Sequence, residues 1–77
     1  MINQELLDYQ FRELFKDPTQ TGFKADDHIT IKMIRNSTLK TSHIEVYKDD
    51  TFWFRERLGR FNTYKGFFNA ISSILCK

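Results

Sequence analysis

The segment "TSHIEVYKDDTFWFRERLGRF", residues 41–61, holds the side chains best suited to chemistry or to recognition. His43 is the candidate for proton transfer, because an imidazole has an ordinary pKa close to neutrality. Two sets of residues alternate along the segment. One set is apolar and predicts a buried face: Ile44, Val46, Phe52 and Phe54. The other set is basic and aromatic around one carboxylate: His43, Glu45, Tyr47, Trp53, Arg55 and Arg57.

Four members of the second set form a candidate partner-binding surface: Tyr47, Trp53, Arg55 and Arg57. Aromatic rings stack on unpaired bases and arginines contact phosphates, so this surface could bind a nucleic acid. The same residue types dominate the hot spots of protein–protein interfaces. A third interpretation is that an arginine simply packs over Trp53 across the strands. The residues alone leave these three alternatives open.

Other reactive residue types lie in positions that do not predict a catalytic or metal site. Asp26, Asp27 and His28 are adjacent, but two carboxylates and one imidazole before a strand are typical of a solvated loop. Cys76 is the only cysteine, so it cannot form an internal disulfide, and no neighbouring residue would activate it. We therefore expect no metal, no cofactor and no enzymatic activity.

Length and composition limit the class of protein. A chain of 77 residues predicts one domain, residues 1–77, and 40% hydrophobic with 29% charged residues is typical of a globular protein. The net charge of +2 permits nucleic-acid binding without requiring it. We expect a cytoplasmic protein without membrane contact, since the sequence has neither a long apolar run nor a signal peptide.

The spacing of apolar residues predicts five elements around these candidates. Residues 3–16 and 64–75 show the three-and-four spacing of amphipathic helices, with Asn3 and either Asn62 or Thr63 as N-caps. Residues 17–27 have the composition of a loop, in which Phe23 is expected to contact the core. Residues 28–35, 43–48 and 51–58 alternate as strands.

These elements predict an α+β fold: a three-stranded antiparallel sheet with two helices packed on one face, in the order α-β-β-β-α. In the last hairpin we expect Val46 opposite Phe52 and Ile44 opposite Phe54, closed by a three-residue loop at 48–50. This register turns Trp53 away from the helices. The exposed aromatic strand could also pair with a second copy of the chain.

The predicted order resembles the double-stranded RNA-binding domain over nearly the whole chain. That family contacts RNA through its first helix, the loop between its first two strands and the start of its second helix. In "GRFNTYKGFFNA" a glycine, a Ser/Thr and a lysine follow in the family's order, with Lys65 alone where the family has several lysines. The resemblance implies an RNA-binding set of residues: Arg35, Asn36, Lys40, His43, Arg60, Thr63 and Lys65.

A second family of this fold, the HicA-type mRNA interferases, has a glycine-Ser/Thr-histidine element that "TSHIEV" resembles at Ser42-His43. This resemblance implies that His43 is the general acid/base of a small ribonuclease. The residues favoured by AT-rich codons also give the chain the style of a T-even-like phage accessory protein. We therefore predict a small non-enzymatic RNA-binding module, and the phage-like style adds the expectation that it inhibits a host nuclease or toxin. The alternatives are a protein-binding inhibitor that uses the Trp53 surface, and the ribonuclease.

Overall fold

A computed structural model of the protein describes residues 2–36 and 41–76. The elements follow in the order α1 (Gln4–Lys16), β1 (Gly22–Lys24), β2 (Ile29–Ile34), β3 (His43–Lys48), β4 (Thr51–Arg57), a short 3-10 helix (Leu58–Arg60) and α2 (Tyr64–Leu75). The strands form one antiparallel sheet in the order β1-β2-β3-β4. The α+β class is confirmed, but the predicted three-stranded sheet is wrong because the sheet has four strands.

Both helices begin where the sequence predicted. The Asn3 side chain accepts a hydrogen bond from the Leu6 N–H at 3.0 Å, and Thr63 accepts one from the Gly66 N–H at 3.1 Å. Each cap satisfies one of the N–H groups that the first turn of a helix leaves unpaired. Neither helix is both long enough and apolar enough to cross a bilayer.

The two helices pack on one face of the sheet and bury a core rich in aromatic rings. Phe11 of α1 is fully buried, and its ring centroid lies 5.2 Å from that of Phe23 and 5.3 Å from that of Phe67. The helices are also joined by Tyr64, whose hydroxyl donates to the Asp8 carboxylate at 2.7 Å. This hydrogen bond lowers the pKa of Asp8.

The additional strand, β1, lies inside the segment 17–27 that the sequence predicted to be a loop. Phe23 pairs with Ile31 of β2 and contacts the core, which confirms the expected anchoring contact. Gly22 lets the two strands come close, because a Cβ at this position would lie 2.2 Å from the Ile31 carbonyl oxygen. Three residues are too few to show the alternation that identifies a strand.

The β3–β4 hairpin differs from the predicted register. Its turn has two residues, Asp49 and Asp50, both with positive φ, and Lys48 pairs directly with Thr51. Turns of this kind suit the twist of a hairpin, and aspartate tolerates the left-handed conformation better than most residues. The three-residue loop and both predicted Phe pairings are therefore wrong.

A β-bulge at Trp53 then changes the register along the hairpin. Tyr47 pairs with Phe52, while Val46 pairs with Phe54, so β4 has one extra residue between these two pairs. The bulge brings Phe54 to the core side, where it packs against buried residues. Without the extra residue, Phe54 would face Glu45 on the opposite side.

The two-residue turn and the bulge together exchange the expected positions of Phe52 and Trp53. Phe52 lies opposite Tyr47 on the side away from the helices and is 53% exposed. Trp53 is 42% exposed and lines a cleft with Ile2, Ile74 and Leu75, which belong to the helical side of the molecule. The expectation that Trp53 faces away from the helices is therefore wrong.

Candidate nucleic-acid interface

The face of the sheet opposite the helices is the candidate interface, and we call it the sheet face. Strand register places on it Gly22 and Lys24 of β1; Thr30, Lys32 and Ile34 of β2; His43, Glu45 and Tyr47 of β3; and Phe52, Arg55 and Arg57 of β4. Residues paired across an antiparallel sheet project to the same side, so these side chains share one surface. In residues 2–36 and 41–76, no helix covers this surface.

Positive charge is concentrated on the sheet face. Four cations, Lys24, Lys32, Arg55 and Arg57, lie around the single carboxylate of Glu45. The face therefore has a net charge of +3, whereas the whole chain has +2, so the rest of the chain has −1. Neither arginine forms an ion pair or a side-chain hydrogen bond with a described residue. Their guanidinium groups are available for an anionic ligand.

Two aromatic rings lie among these cations. The Tyr47 and Phe52 rings meet edge to face, with centroids 5.7 Å apart. The Lys32 ammonium lies 4.6 Å from the centroid of the Tyr47 ring. A base that stacks on Tyr47 would displace this ammonium, which could then contact the adjacent phosphate. The arrangement thus offers a stacking surface with cations beside it.

Glu45 organises the polar centre of the sheet face. It accepts a hydrogen bond of 2.9 Å from the Tyr47 hydroxyl, and this contact raises the pKa of Tyr47. A Glu45 carboxylate oxygen also lies 3.5 Å from His43 Nε2. The carboxylate therefore orients both neighbouring side chains of β3.

No protein family, curated protein or solved structure matches this chain.

Arg35, which the family resemblance placed among the RNA contacts, is bound to the protein's own backbone. Its guanidinium donates to the carbonyl oxygens of Leu14 at 2.7 Å and Asp17 at 3.0 Å, and also to that of Gln20. The Leu14 carbonyl belongs to the last turn of α1, where a helix leaves acceptors unpaired, and the other two lie just beyond it. Arg35 therefore joins the end of α1 to the end of β2.

We expect Arg35→Ala to affect stability before it affects any binding. Loss of charged donors from these backbone carbonyls should lower the free energy of unfolding by about 1–3 kcal/mol. Urea denaturation followed by circular dichroism measures the loss, with Lys16→Ala as the exposed control near the same helix end. Unchanged stability together with weaker RNA binding would instead support the role that the resemblance implied.

The other residues of that predicted set are divided between two places. Asn36 donates to the Thr41 carbonyl at 3.0 Å, and Lys40 lies outside the described residues. Arg60 pairs with Glu56 at 3.0 Å, close to the α2 N-cap Thr63, while Lys65 follows in the first turn of α2. Of the members of the set that the structure describes, only His43 belongs to the sheet face. The RNA-binding role of these residues remains a prediction.

The sequence carries a local signal for some members of the sheet face and none for others. Lys32 was recoverable, because the alternation in β2 already turned it away from the core. Lys24 could not be assigned without β1, and Phe52 could not be assigned without the two-residue turn that pairs it with Tyr47.

Proposed function

We propose that the chain is a non-enzymatic RNA-binding module whose sheet face binds single-stranded RNA. The observation that carries the proposal is the contact between the Tyr47 and Phe52 rings on an uncovered face with four cations and one carboxylate. Base stacking on aromatic rings contributes about 1–3 kcal/mol per base and tolerates many sequences. Arg55 and Arg57 supply unpaired guanidiniums for the phosphates beside the stacked bases.

The shape of the surface favours unpaired over paired RNA. Proteins bind duplex RNA mainly through its backbone and 2′-hydroxyl groups, whereas unpaired bases can spread over an open sheet and stack on its rings. The sheet face presents the Tyr47 and Phe52 rings on the paired strands β3 and β4, and no described helix covers these rings. The double-stranded preference that the family resemblance implied is therefore replaced by a single-stranded one in this proposal.

The test compares single-stranded and duplex RNA in fluorescence-anisotropy titrations at about 50 mM salt, where phosphate contacts contribute most. We expect tighter binding of the single strand, and a loss of roughly 5- to 150-fold in Tyr47→Ala and in Phe52→Ala. Tyr47→Phe should retain most of the affinity because it keeps the ring.

Tyr9→Ala is the matched control. Tyr9 is a tyrosine of α1 that is 61% exposed, on the other side of the molecule from the sheet face. Its replacement should leave the affinity unchanged. The proposal fails if single strands do not bind at low salt, or if the Tyr47, Phe52 and Tyr9 variants bind equally well.

The RNA from the same titrations can be used to distinguish binding from cleavage. The contact of His43 with Glu45 would suit an oriented general base, which is the geometry that the ribonuclease alternative needs. Gel analysis of the RNA after incubation decides between them. Cleavage that disappears in His43→Ala would favour the ribonuclease, and intact RNA favours a binding module.

The biological setting belongs to the proposal as well. RNA binding of this kind suits a cytoplasmic protein. A role as a phage-type accessory inhibitor of a host nuclease or toxin is a prediction from the style of the sequence. A pull-down from the native host, with and without RNase treatment, tests it because it separates partners bridged by RNA from direct ones.

A further inference from the structure

The free edge of β4 is a second surface with its own chemistry. In the described part of the chain β4 has a strand only on its β3 side. Just beyond its end, the Leu58 N–H donates to the Ser42 carbonyl at 3.0 Å, so the backbone of Leu58 points toward β3. Because bonding direction alternates along an antiparallel strand, the backbones of Arg55 and Arg57 point away from β3. Their N–H and C=O groups form the free edge.

The side chains beside this edge determine which strand it accepts. Arg55 and Arg57 lie on the sheet face without an ion pair to any described carboxylate. Glu56, between them on the core side, already pairs with Arg60 at 3.0 Å. An incoming strand therefore meets two unpaired positive charges, spaced two residues apart on one side.

The β4 strand of a second copy does not fit the edge. Pairing of two identical antiparallel strands about a two-fold axis places residues of the same face opposite each other. Registers centred on Arg55, Glu56 or Arg57 each bring an arginine opposite an arginine, which is destabilising. A register centred on Phe54 brings the bulge at Trp53 opposite Arg55 and interrupts the ladder.

We propose that the edge of β4 binds an extended acidic strand of a partner protein, in which two Asp or Glu residues flank one residue. Each acidic residue lies opposite Arg55 or Arg57 and exchanges two backbone hydrogen bonds with it. The residue between them faces the core side, where a β-branched apolar side chain suits a strand. This inference does not require RNA binding, although both surfaces use the same arginines.

The experiment uses capped peptides with the full-length protein and no RNA. NMR titration of the ¹⁵N-labelled chain with acetyl-Thr-Glu-Val-Glu-Thr-amide should shift the amide resonances of Arg55 and Arg57 and protect these amides from exchange. A peptide with lysine in place of both glutamates should bind at least about tenfold more weakly. Equal binding of the two peptides, or no binding of the acidic one, overturns the proposal.

N-methylation distinguishes strand pairing from general charge attraction. Methyl groups on both glutamate nitrogens remove the donors that face β4 and should abolish binding, whereas a methyl group on the valine nitrogen, which faces away, should not. Binding that survives the first modification overturns the proposal. In the Arg55→Glu/Arg57→Glu variant, preference should reverse toward the lysine peptide, and an unchanged preference would contradict the assignment of these arginines.

Discussion

Phe11→Ala should cost about 3–5 kcal/mol of unfolding free energy, the largest stability effect we expect from one substitution. The ring is fully buried and contacts four other phenylalanines, Phe15, Phe23, Phe67 and Phe68, at centroid distances of 5.2–6.4 Å. These contacts join both helices to β1. A domain of this size has a total stability of roughly 4–12 kcal/mol, so the variant should lose from about a quarter to all of it.

Urea denaturation followed by circular dichroism measures this loss. Phe52→Ala is the matched control, because it removes the same ring from an exposed site and should cost less than about 1 kcal/mol. The assignment of Phe11 to the centre of the core fails if the two variants unfold at the same urea concentration. The comparison also tests the hairpin register, since the register predicted from sequence would make Phe52 a core residue.

Simultaneous replacement of Arg55 and Arg57 by alanine should produce the largest change in RNA binding. Each arginine is free to neutralise one phosphate, and a phosphate contact on a single strand contributes about 0.7 to the slope of log affinity against log salt. The double variant should therefore lose about 1.4 from that slope. At about 50 mM salt we expect roughly 10- to 100-fold weaker binding.

The Arg60→Ala/Lys65→Ala double variant is the charge-matched comparison. It removes one cation from the 3-10 helix before α2 and one from the first turn of α2, the region that the family resemblance implied. We expect its salt slope to equal that of the unmodified protein. If this variant loses the slope and the Arg55/Arg57 variant keeps it, the RNA-binding surface is the start of α2 and the sheet face is excluded.

The two arginines also connect the proposed surfaces. Because Arg55 and Arg57 are common to the sheet face and the β4 edge, a bound acidic strand should weaken RNA binding, and RNA should weaken peptide binding to the same degree. A competition titration measures this coupling. Independent binding of both ligands would show that one of them does not use these arginines.

Local sequence signals determined the helices and the central strands. Asn3 and Thr63 identified helix starts because a side-chain cap acts within its own first turn. The alternation of Ile29, Ile31 and Met33 identified the buried face of β2, since each strand residue projects opposite to its neighbours. These signals depend on contacts between residues close in the chain, and they were sufficient for the α+β class.

Tertiary structure alone decided the fourth strand, the hairpin register and the role of Arg35. β1 lies close to β2 because Gly22 has no Cβ, and Phe52 lies on the sheet face because a two-residue turn pairs it with Tyr47, while the bulge at Trp53 returns Phe54 to the core. Arg35 binds carbonyls near the end of α1, about twenty residues away in sequence. Each outcome depends on which contacts between separate segments of the chain are most favourable. A local pattern of residues does not contain that information.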